Sequence, residues 1–390
     1  MTTEKVYWVW LATRPTCGAA VCAEVLRAFG SPEAVWQASR SELSAAPDMN
    51  RKRVDALMDK DLTRAHHVLQ NCLRRNISIV ALDDEAYPSP LRTLPDAPVL
   101  LYVRGTLPDF DDRLAISVVG TRKASAYGLA AARYFAGNLA QNGCIVVSGM
   151  ALGIDGAANR AAIDAGGTTV AVLGCGLDMC YPWEHETLME DIACTGAVIS
   201  EYPPGTRADG WHFPQRNRII TGLSRGTLVV EAPKKSGALI SASLALDQGR
   251  DVFAVPGPIN QPNSEGCNAL IRQGAAELVQ TPSDILAHYE HAQTVTAKPV
   301  VPRVPQQEAE LRLASPQPAA PARPMRRLDG SDTERTIWRA VRDGNHSVDA
   351  IVEHTALTAS QVLGALTMLE VGAYVVRTGA EYRAADDVHE

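Results

Sequence analysis

Aromatic residues make up only 5% of the 390-residue chain, and several signatures of common chemistry are missing from it. No stretch approaches the ~18 consecutive apolar residues of a membrane-spanning helix. The segment from Met1 to Leu11 has one lysine ahead of a short aromatic run and no small-residue cleavage site. A mature, cytoplasmic protein without a membrane partner is expected. The eight cysteines (Cys17, Cys22, Cys72, Cys144, Cys175, Cys180, Cys194, Cys267) include no CxxC spacing, which removes the usual zinc and dithiol motifs and favours reduced, buried thiols. Neither GxGxxG nor GxxxxGK(S/T) occurs, so neither a dinucleotide fingerprint nor a P-loop has its glycines. No cofactor and no metal site is expected.

Positive charge is in deficit. The chain has 37 Lys and Arg against 44 Asp and Glu, a formal net charge of −7. That excludes a basic coat over the whole surface and leaves room for a local basic patch on an acidic body. From Ser331 to Glu390 there is no lysine, and five arginines face ten acids, a net of −5. What is present is an ordinary soluble composition, 46% hydrophobic and 21% charged. It is long enough for two or three domains at ~150 residues each.

Three regimes and a linker follow one another. Residues 1–75 have a helical pattern: Val21, Val25, Leu26 and Phe29 recur at helix spacing, Gly30 stops that helix, and Ser31-Pro32-Glu33 starts the next. The Thr16-Cys17-Gly18 turn suggests a small all-α SAM-like or helix-hairpin-helix module, which can grip a DNA backbone or simply pack. Over residues 76–290, Val- and Ile-rich runs (Leu114–Val119, Cys144–Val147, Thr169–Leu173, Val198–Ser200, Thr227–Val230, Val252–Val255) alternate with helical segments such as Tyr127–Leu139 and Ala238–Leu246. This is the α/β signature of an extended Rossmann-like parallel sheet covered on both faces. Residues 291–328 form a Pro-rich linker. Residues 329–390 open on a capping box, Ser331 with Glu334, followed by helices over Thr333–Val341, Ser347–His354 and Thr358–Val371. A Thr378-Gly379 turn between strands Tyr374–Arg377 and Glu381–Arg383 completes a winged-helix domain.

Three turns carry the chemistry. Val118-Val119-Gly120-Thr121-Arg122-Lys123-Ala124-Ser125 joins a strand to a helix, where backbone N–H groups and a positive helix end suit a phosphate and Arg122 and Lys123 add charge. Ser148-Gly149-Met150-Ala151-Leu152-Gly153-Ile154-Asp155 and Lys234-Lys235-Ser236-Gly237-Ala238 follow two further strands. In an open parallel sheet such turns share the carboxyl edge, where ligands collect. Their glycines can equally serve helix–sheet packing, the better account for Gly153 and Gly156. Between Pro203 and Arg225 lie four arginines (Arg207, Arg216, Arg218, Arg225) and one acid, Asp209, with Trp211 and Phe213 among them. Guanidinium groups for phosphates and ring faces for bases are what an unpaired strand needs. The other reading makes Phe213 and Ile219 core anchors and the arginines a solvated face.

Taken in order, Gly120 to Ser125, Ser148 to Asp155, Ser200-Glu201-Tyr202-Pro203-Pro204-Gly205, Phe213 to Ile220, Lys235 to Ala238, Val255-Pro256-Gly257 and Gly266 to Ile271 resemble the motifs of the DNA-processing protein A (DprA/Smf) family. The resemblance spans roughly Ile77 to Tyr289. It implies a non-catalytic, dimeric single-stranded DNA-binding protein that protects incoming DNA during natural transformation and loads the RecA recombinase onto it. It also implies a DNA-binding set. Gly120, Thr121, Arg122, Lys123 and Ser125 stand in the first turn, and Ser148 and Gly149 in the second. Phe213 is the stacking aromatic with Arg216, Asn217 and Arg218 beside it, and Lys234, Lys235, Ser236 and Gly237 complete the groove. Family members often have Arg and His where this chain has Leu152 and Asn159, so charged or imidazole roles at those two positions fall away.

An enzyme is the alternative. Phosphoribohydrolases of related Rossmann-like fold, resembling the cytokinin-activating lysine-decarboxylase-like proteins, carry a Pro-Gly-Gly-x-Gly-Thr-x-x-Glu loop. The equivalent stretch, Pro233 to Ala242, holds no acid and so offers no evident general acid or base. His66-His67 have no acid at ligand-like spacing. Of the carboxylates near the sheet's carboxyl edge, Asp155, Asp178 and Glu201, Asp155 is read as a group that hydrogen-bonds loop backbone. The expected recognition helix Thr358–Val371 has no Lys or Arg, so the winged helix is expected to contact a protein partner or its own dimer.

Overall fold

The computed structural model describes residues 4–290, 326–327, 331–344, 346–355, 357–371, 374–378, 381–384 and 388–389. The Pro-rich segment, apart from Arg326 and Arg327, and Gly379 of the expected hairpin turn lie outside the described residues. The chain divides into two units, Met1–Pro299 and Val300–Glu390.

Six helices come first: α1 (Glu4–Ala12), α2 (Ala19–Phe29), α3 (Pro32–Gln37), α4 (Arg40–Ala45), α5 (Arg51–Met58) and α6 (Thr63–Arg74). α2 ends at Gly30, whose φ of 84° suits a residue without Cβ and whose N–H bonds the Leu26 carbonyl. Ser31 caps α3 by accepting from the Ala34 N–H. Trp10, Leu43 and Leu57 are fully buried, and Trp10 donates its indole N–H to the Asp59 carbonyl at 2.9 Å. This cluster runs on into Tyr102, Leu173, Ile192 and Val198, so the helices and one edge of the sheet share a core.

The sheet has nine strands: β1 (Ser78–Ala81), β2 (Leu100–Gly105), β3 (Ala115–Val119), β4 (Ile145–Ser148), β5 (Thr168–Leu173), β6 (Ala197–Ser200), β7 (Gly226–Val229), β8 (Asp251–Ala254) and β9 (Glu277–Leu278). Their order is β1-β2-β6-β5-β4-β3-β7-β8-β9. From β6 to β9 all neighbours are parallel. The sheet is not parallel throughout, however: β1 pairs antiparallel with β2, and β2 with β6. Parallel neighbours are joined over a face of the sheet, usually by a full helix, and between β1 and β2 there is only α7 (Ser89–Arg92), a single turn.

Seven helices follow the strands: α8 (Ala126–Gln141), α9 (Ile154–Asp164), α10 (Glu186–Thr195), α11 (His212–Gly222), α12 (Gly237–Asp247), α13 (Glu265–Arg272) and α14 (Pro282–Glu290). Alternation along β3 divides the core. Ile116 and Val118 pack with Phe135 of α8 and Ala158 of α9, whereas Ala115 and Val119 pack with Ile219 of α11 and Ala242 of α12. The chain builds outward from β3 through β4, β5 and β6, then returns to the other side of β3 with β7. The carboxyl ends of β3 and β7 therefore flank the crevice where open α/β sheets collect ligands.

The second unit contains β10 (Arg326–Arg327), α15 (Asp332–Arg342), α16 (Val348–Thr355), α17 (Ala359–Val371), β11 (Val375–Thr378), β12 (Glu381–Ala384) and β13 (Val388–His389). α15 starts at a complete capping box of Ser331 and Glu334. Ile337, Trp338, Val341, Ile351, Leu366 and Leu369 form its core, and β11 and β12 pair as an antiparallel hairpin. This is the winged-helix order of three helices and a wing. All eight cysteines are free; six are buried, Cys180 is half-buried and Cys194 is exposed. Among the described residues no helix is long and apolar enough to cross a membrane.

Candidate nucleic-acid interface

The turn after β3 is fastened to Glu231, two residues beyond the end of β7. Ser125 caps α8 by accepting from the Gly128 N–H at 3.0 Å, and its own N–H and hydroxyl donate to the Glu231 carboxylate at 2.8 and 2.6 Å. The Thr121 N–H donates to the Glu231 carbonyl at 2.8 Å, and the Lys123 N–H to Thr121 Oγ1 at 3.2 Å. Glu231 is buried, and the sequence reading did not single it out. It fixes the turn from below and leaves the Arg122 and Lys123 side chains exposed.

The turn after β4 touches the first. Ile154 donates its N–H to the Thr121 carbonyl at 3.3 Å, and Gly153 has a φ of 81° with the Arg122 carbonyl oxygen 2.9 Å from where a Cβ would stand. Close approach of two turns, more than helix–sheet packing, requires glycine there. Ser148 is fully buried and donates its hydroxyl to the Val118 carbonyl at 2.6 Å. Asp155 is buried and accepts from the Gly149 N–H at 3.1 Å, as its reading as a loop hydrogen-bonder anticipates. Burial raises its carboxyl above the usual range, and the Arg216 guanidinium opposes that rise.

The four arginines of the Pro203–Arg225 stretch do not form a patch. Arg216 is 4% exposed and donates from Nη1 to the Gly149 carbonyl at 3.0 Å and to the Val172 carbonyl; burial pulls it down to about 10. Arg218 is 8% exposed and ion-paired with Glu201 at 2.5 Å and Asp96 at 3.2 Å. Arg225 precedes β7, at the amino edge of the sheet, with its Cζ 5.8 Å from the Tyr289 ring centroid. Arg207 is exposed but is not among the residues that line the groove. Arg216 and Arg218 are thus internal struts: Arg216 still lines the groove with its small exposed remainder, whereas Arg218 does not line it, a correction to its expected place there.

What does converge is a groove of about 580 Å³ whose walls include Arg122, Phe213, Asn217, Lys235, Ser236 and Gly237. The Arg122 Cζ lies 4.9 Å from the Phe213 ring centroid, and the Phe213 ring stands 5.4 Å from that of Tyr181, tilted by 31°. Gly120 and Thr121 line the floor. Ser236 caps α12, accepting from the Ala238 N–H at 3.3 Å. Lys123 and Lys234 are exposed at neighbouring positions, whereas Ser125, Ser148 and Gly149 act as supports. Tyr181 went unread in the sequence; the run Cys180-Tyr181-Pro182-Trp183, with rings beside a proline, was the available signal.

Residues 78–290 match the family profile for DNA recombination-mediator protein A, and residues 314–380 match that for the DprA winged helix domain. The chain belongs to the DprA family. It is 34% identical over 403 residues to a DNA processing protein DprA from Mycobacterium tuberculosis, an alignment covering 97% of this chain and 96% of the relative. The X-ray structure of DprA from Streptococcus pneumoniae superimposes with a TM-score of 0.63 at 35% identity, over 74% of this chain and 99% of that one. DprA from Helicobacter pylori, whose structure is described for its single-stranded DNA binding mode, superimposes with a TM-score of 0.51 at 30% identity, over 55% and 96%. All three turns and α11 fall inside the matched DprA segment, and the acidic second unit includes the family's winged helix.

Proposed function

We propose that this DprA-family chain binds single-stranded DNA in the groove between the carboxyl ends of β3 and β7, without catalysing a reaction. In this reading it acts as a homodimer that protects incoming DNA during natural transformation and loads the RecA recombinase onto it. The observation that carries the DNA reading is Arg122 lying over Phe213 at 4.9 Å at the sheet's switch point. A cation beside a half-buried ring gives a nucleotide both a phosphate contact and a stacking face. Lys123, Lys234 and Lys235 add exposed charge, and the amino end of α12 adds N–H groups. Bases in a duplex are already stacked and out of reach of Phe213, which favours an unpaired strand. The described binding of single-stranded DNA by the Helicobacter pylori relative supports the same reading.

The carboxylates nearest the groove, Asp155 and Glu231, both accept hydrogen bonds from loop backbone, which supports a scaffold over acid–base chemistry. The dimer, recombinase loading and transformation rest on family resemblance. The winged helix fits a protein partner, because α17 has no Lys or Arg and the segment Ser331–Glu390 has a net charge of −5. Fluorescence anisotropy with labelled oligothymidine and a matched duplex tests the groove. The wild type should prefer the single strand, and Arg122→Glu should weaken that binding by roughly tenfold or more. Equal single-strand affinity in the two proteins would overturn the assignment.

A further inference from the structure

Beside the groove lies a second, larger hollow, a cleft of about 910 Å³ between the amino end of α2 and the carboxyl edge of the sheet. Gly18 and Arg53 stand in one wall, Trp211 and Arg218 in the other. Pro214 and Ile240 line both hollows, so the groove passes into the cleft across these two side chains. We propose that the cleft is a second segment of the DNA path. A single strand leaving the Arg122–Phe213 groove crosses Pro214 and Ile240, stacks a base on Trp211 and lays phosphates against Arg53 and the amino end of α2. The inference rests on the single-strand reading of the groove and extends it.

Three independent features point to this occupant. Trp211 is 60% exposed yet held, its ring 4.0 Å from that of His212, which is itself 4.0 Å from that of Tyr202. A fixed, open indole is a stacking platform. α2 begins at Gly18 with no side-chain cap and no acid in its first turn, so the orphan N–H groups of Ala19, Ala20 and Val21 face no competing carboxylate in that turn. Arg53 donates to the Asp48 carbonyl, a neutral acceptor that leaves its charge in place. Finally, Arg218 is 8% exposed, lines the cleft and has no hydrogen-bond partner for Nη1, although Nε and Nη2 hold Asp96 and Glu201. A buried guanidinium donor without a partner is costly, and an acceptor reaching that depth satisfies it.

Anisotropy with two oligothymidines, about 6 and about 20 nucleotides long, separates the two segments, since single-strand sites run to ~4–16 nucleotides per domain. Trp211→Ala removes the platform. Gly18→Asp places a carboxylate at the start of α2, where φ is −68° and nothing lies within 4 Å of a Cβ, and Asp is a favoured helix cap, so the fold tolerates it. Each variant should weaken binding of the long strand by roughly fivefold or more and change the short strand by less than about twofold. If both strands weaken together, or neither does, the cleft is no part of the path; the groove reading still stands where Arg122→Glu abolishes binding of both. If the wild type binds neither strand, both readings fall.

Discussion

Replacing Arg216 and replacing Arg122 probe opposite halves of the site. Arg216 is 4% exposed; its guanidinium and the Asp155 carboxylate close over Gly149, each within 2.6 Å of where a Cβ on that glycine would stand. Arg216→Met keeps much of the volume and removes the cation, leaving the buried Asp155 carboxylate with the backbone N–H groups of Gly149 and Gly120 and the more distant charge of Arg122. Arg216 faces Asp155 as a nearby charge, so the ~3–5 kcal/mol of a broken buried ion pair is the upper end of the cost. The carbonyls of Gly149 and Val172 also lose their guanidinium donor, at roughly 1 kcal/mol each, which the apolar packing of methionine partly offsets. The net expectation is a loss of ~2–4 kcal/mol. Arg122 is exposed and its contact with Phe213 is worth about 0.5–1 kcal/mol, so Arg122→Ala should barely move stability while weakening DNA binding. Urea denaturation with hydrogen exchange of the β4 and β5 amides reads the stability of the sheet unit apart from the winged helix. A pH series adds a sign. Burial already raises Asp155, and without Arg216 it rises further. An acid whose folded value is raised favours folding when protonated, so the variant should recover stability as pH falls through that value and lose it as pH rises. If Arg216→Met stayed within about 1 kcal/mol of wild type yet abolished single-strand binding, Arg216 would be a DNA contact and the strut reading would be wrong.

Four exposed cations, Arg122, Lys123, Lys234 and Lys235, set the salt dependence. At about −0.7 per phosphate for single strands, log K against log salt should slope near −3, and Arg122→Ala should make it shallower by ~0.7; a flat plot would remove phosphate contacts from the account. Ser125→Ala deletes the α8 cap and a donor to buried Glu231, so it should lower the stability of the sheet unit by about 1–2 kcal/mol in thermal melts, and no change would refute the fastening role of Glu231. In the second unit, Ser331→Ala should cost about 1 kcal/mol through its capping box. The wild-type segment 326–390 should show no salt-steep duplex binding, and detecting it would sink the protein-partner reading.

Features decided by near neighbours were legible in the sequence. Gly30, Ser31 and the Ser331–Glu334 box are local, and each of the six apolar runs falls within a residue or so of a strand from β3 to β8. β1 and β2 were not, because direction is a property of pairing. Tyr102 of β2 faces Ser200 of β6, far downstream, and nothing in the residues of β2 states which way that partner runs.

The arginines were misread for the same reason, and in part needlessly. A stretch with four arginines looks basic because charge is visible in a sequence and burial is not. Asp155, Glu201 and Asp96 come from other elements to meet Arg216 and Arg218. Helix geometry nevertheless held a warning. Residues two apart point to different sides of α11, so Arg216 and Arg218 cannot both accompany Phe213. Positions three and four beyond Phe213 are Arg216 and Asn217, and both line the groove, the Arg216 Cζ 6.0 Å from the Phe213 ring centroid. Pairing across the sheet hides Glu231 equally well, since it meets Ser125 at a separation of 106 residues. The acidic total of −7 is therefore a poor guide to a phosphate ligand. Arg216 and Arg218 neutralise buried carboxylates, whereas Arg122, Lys123, Lys234 and Lys235 stand exposed where the sheet's connections reverse.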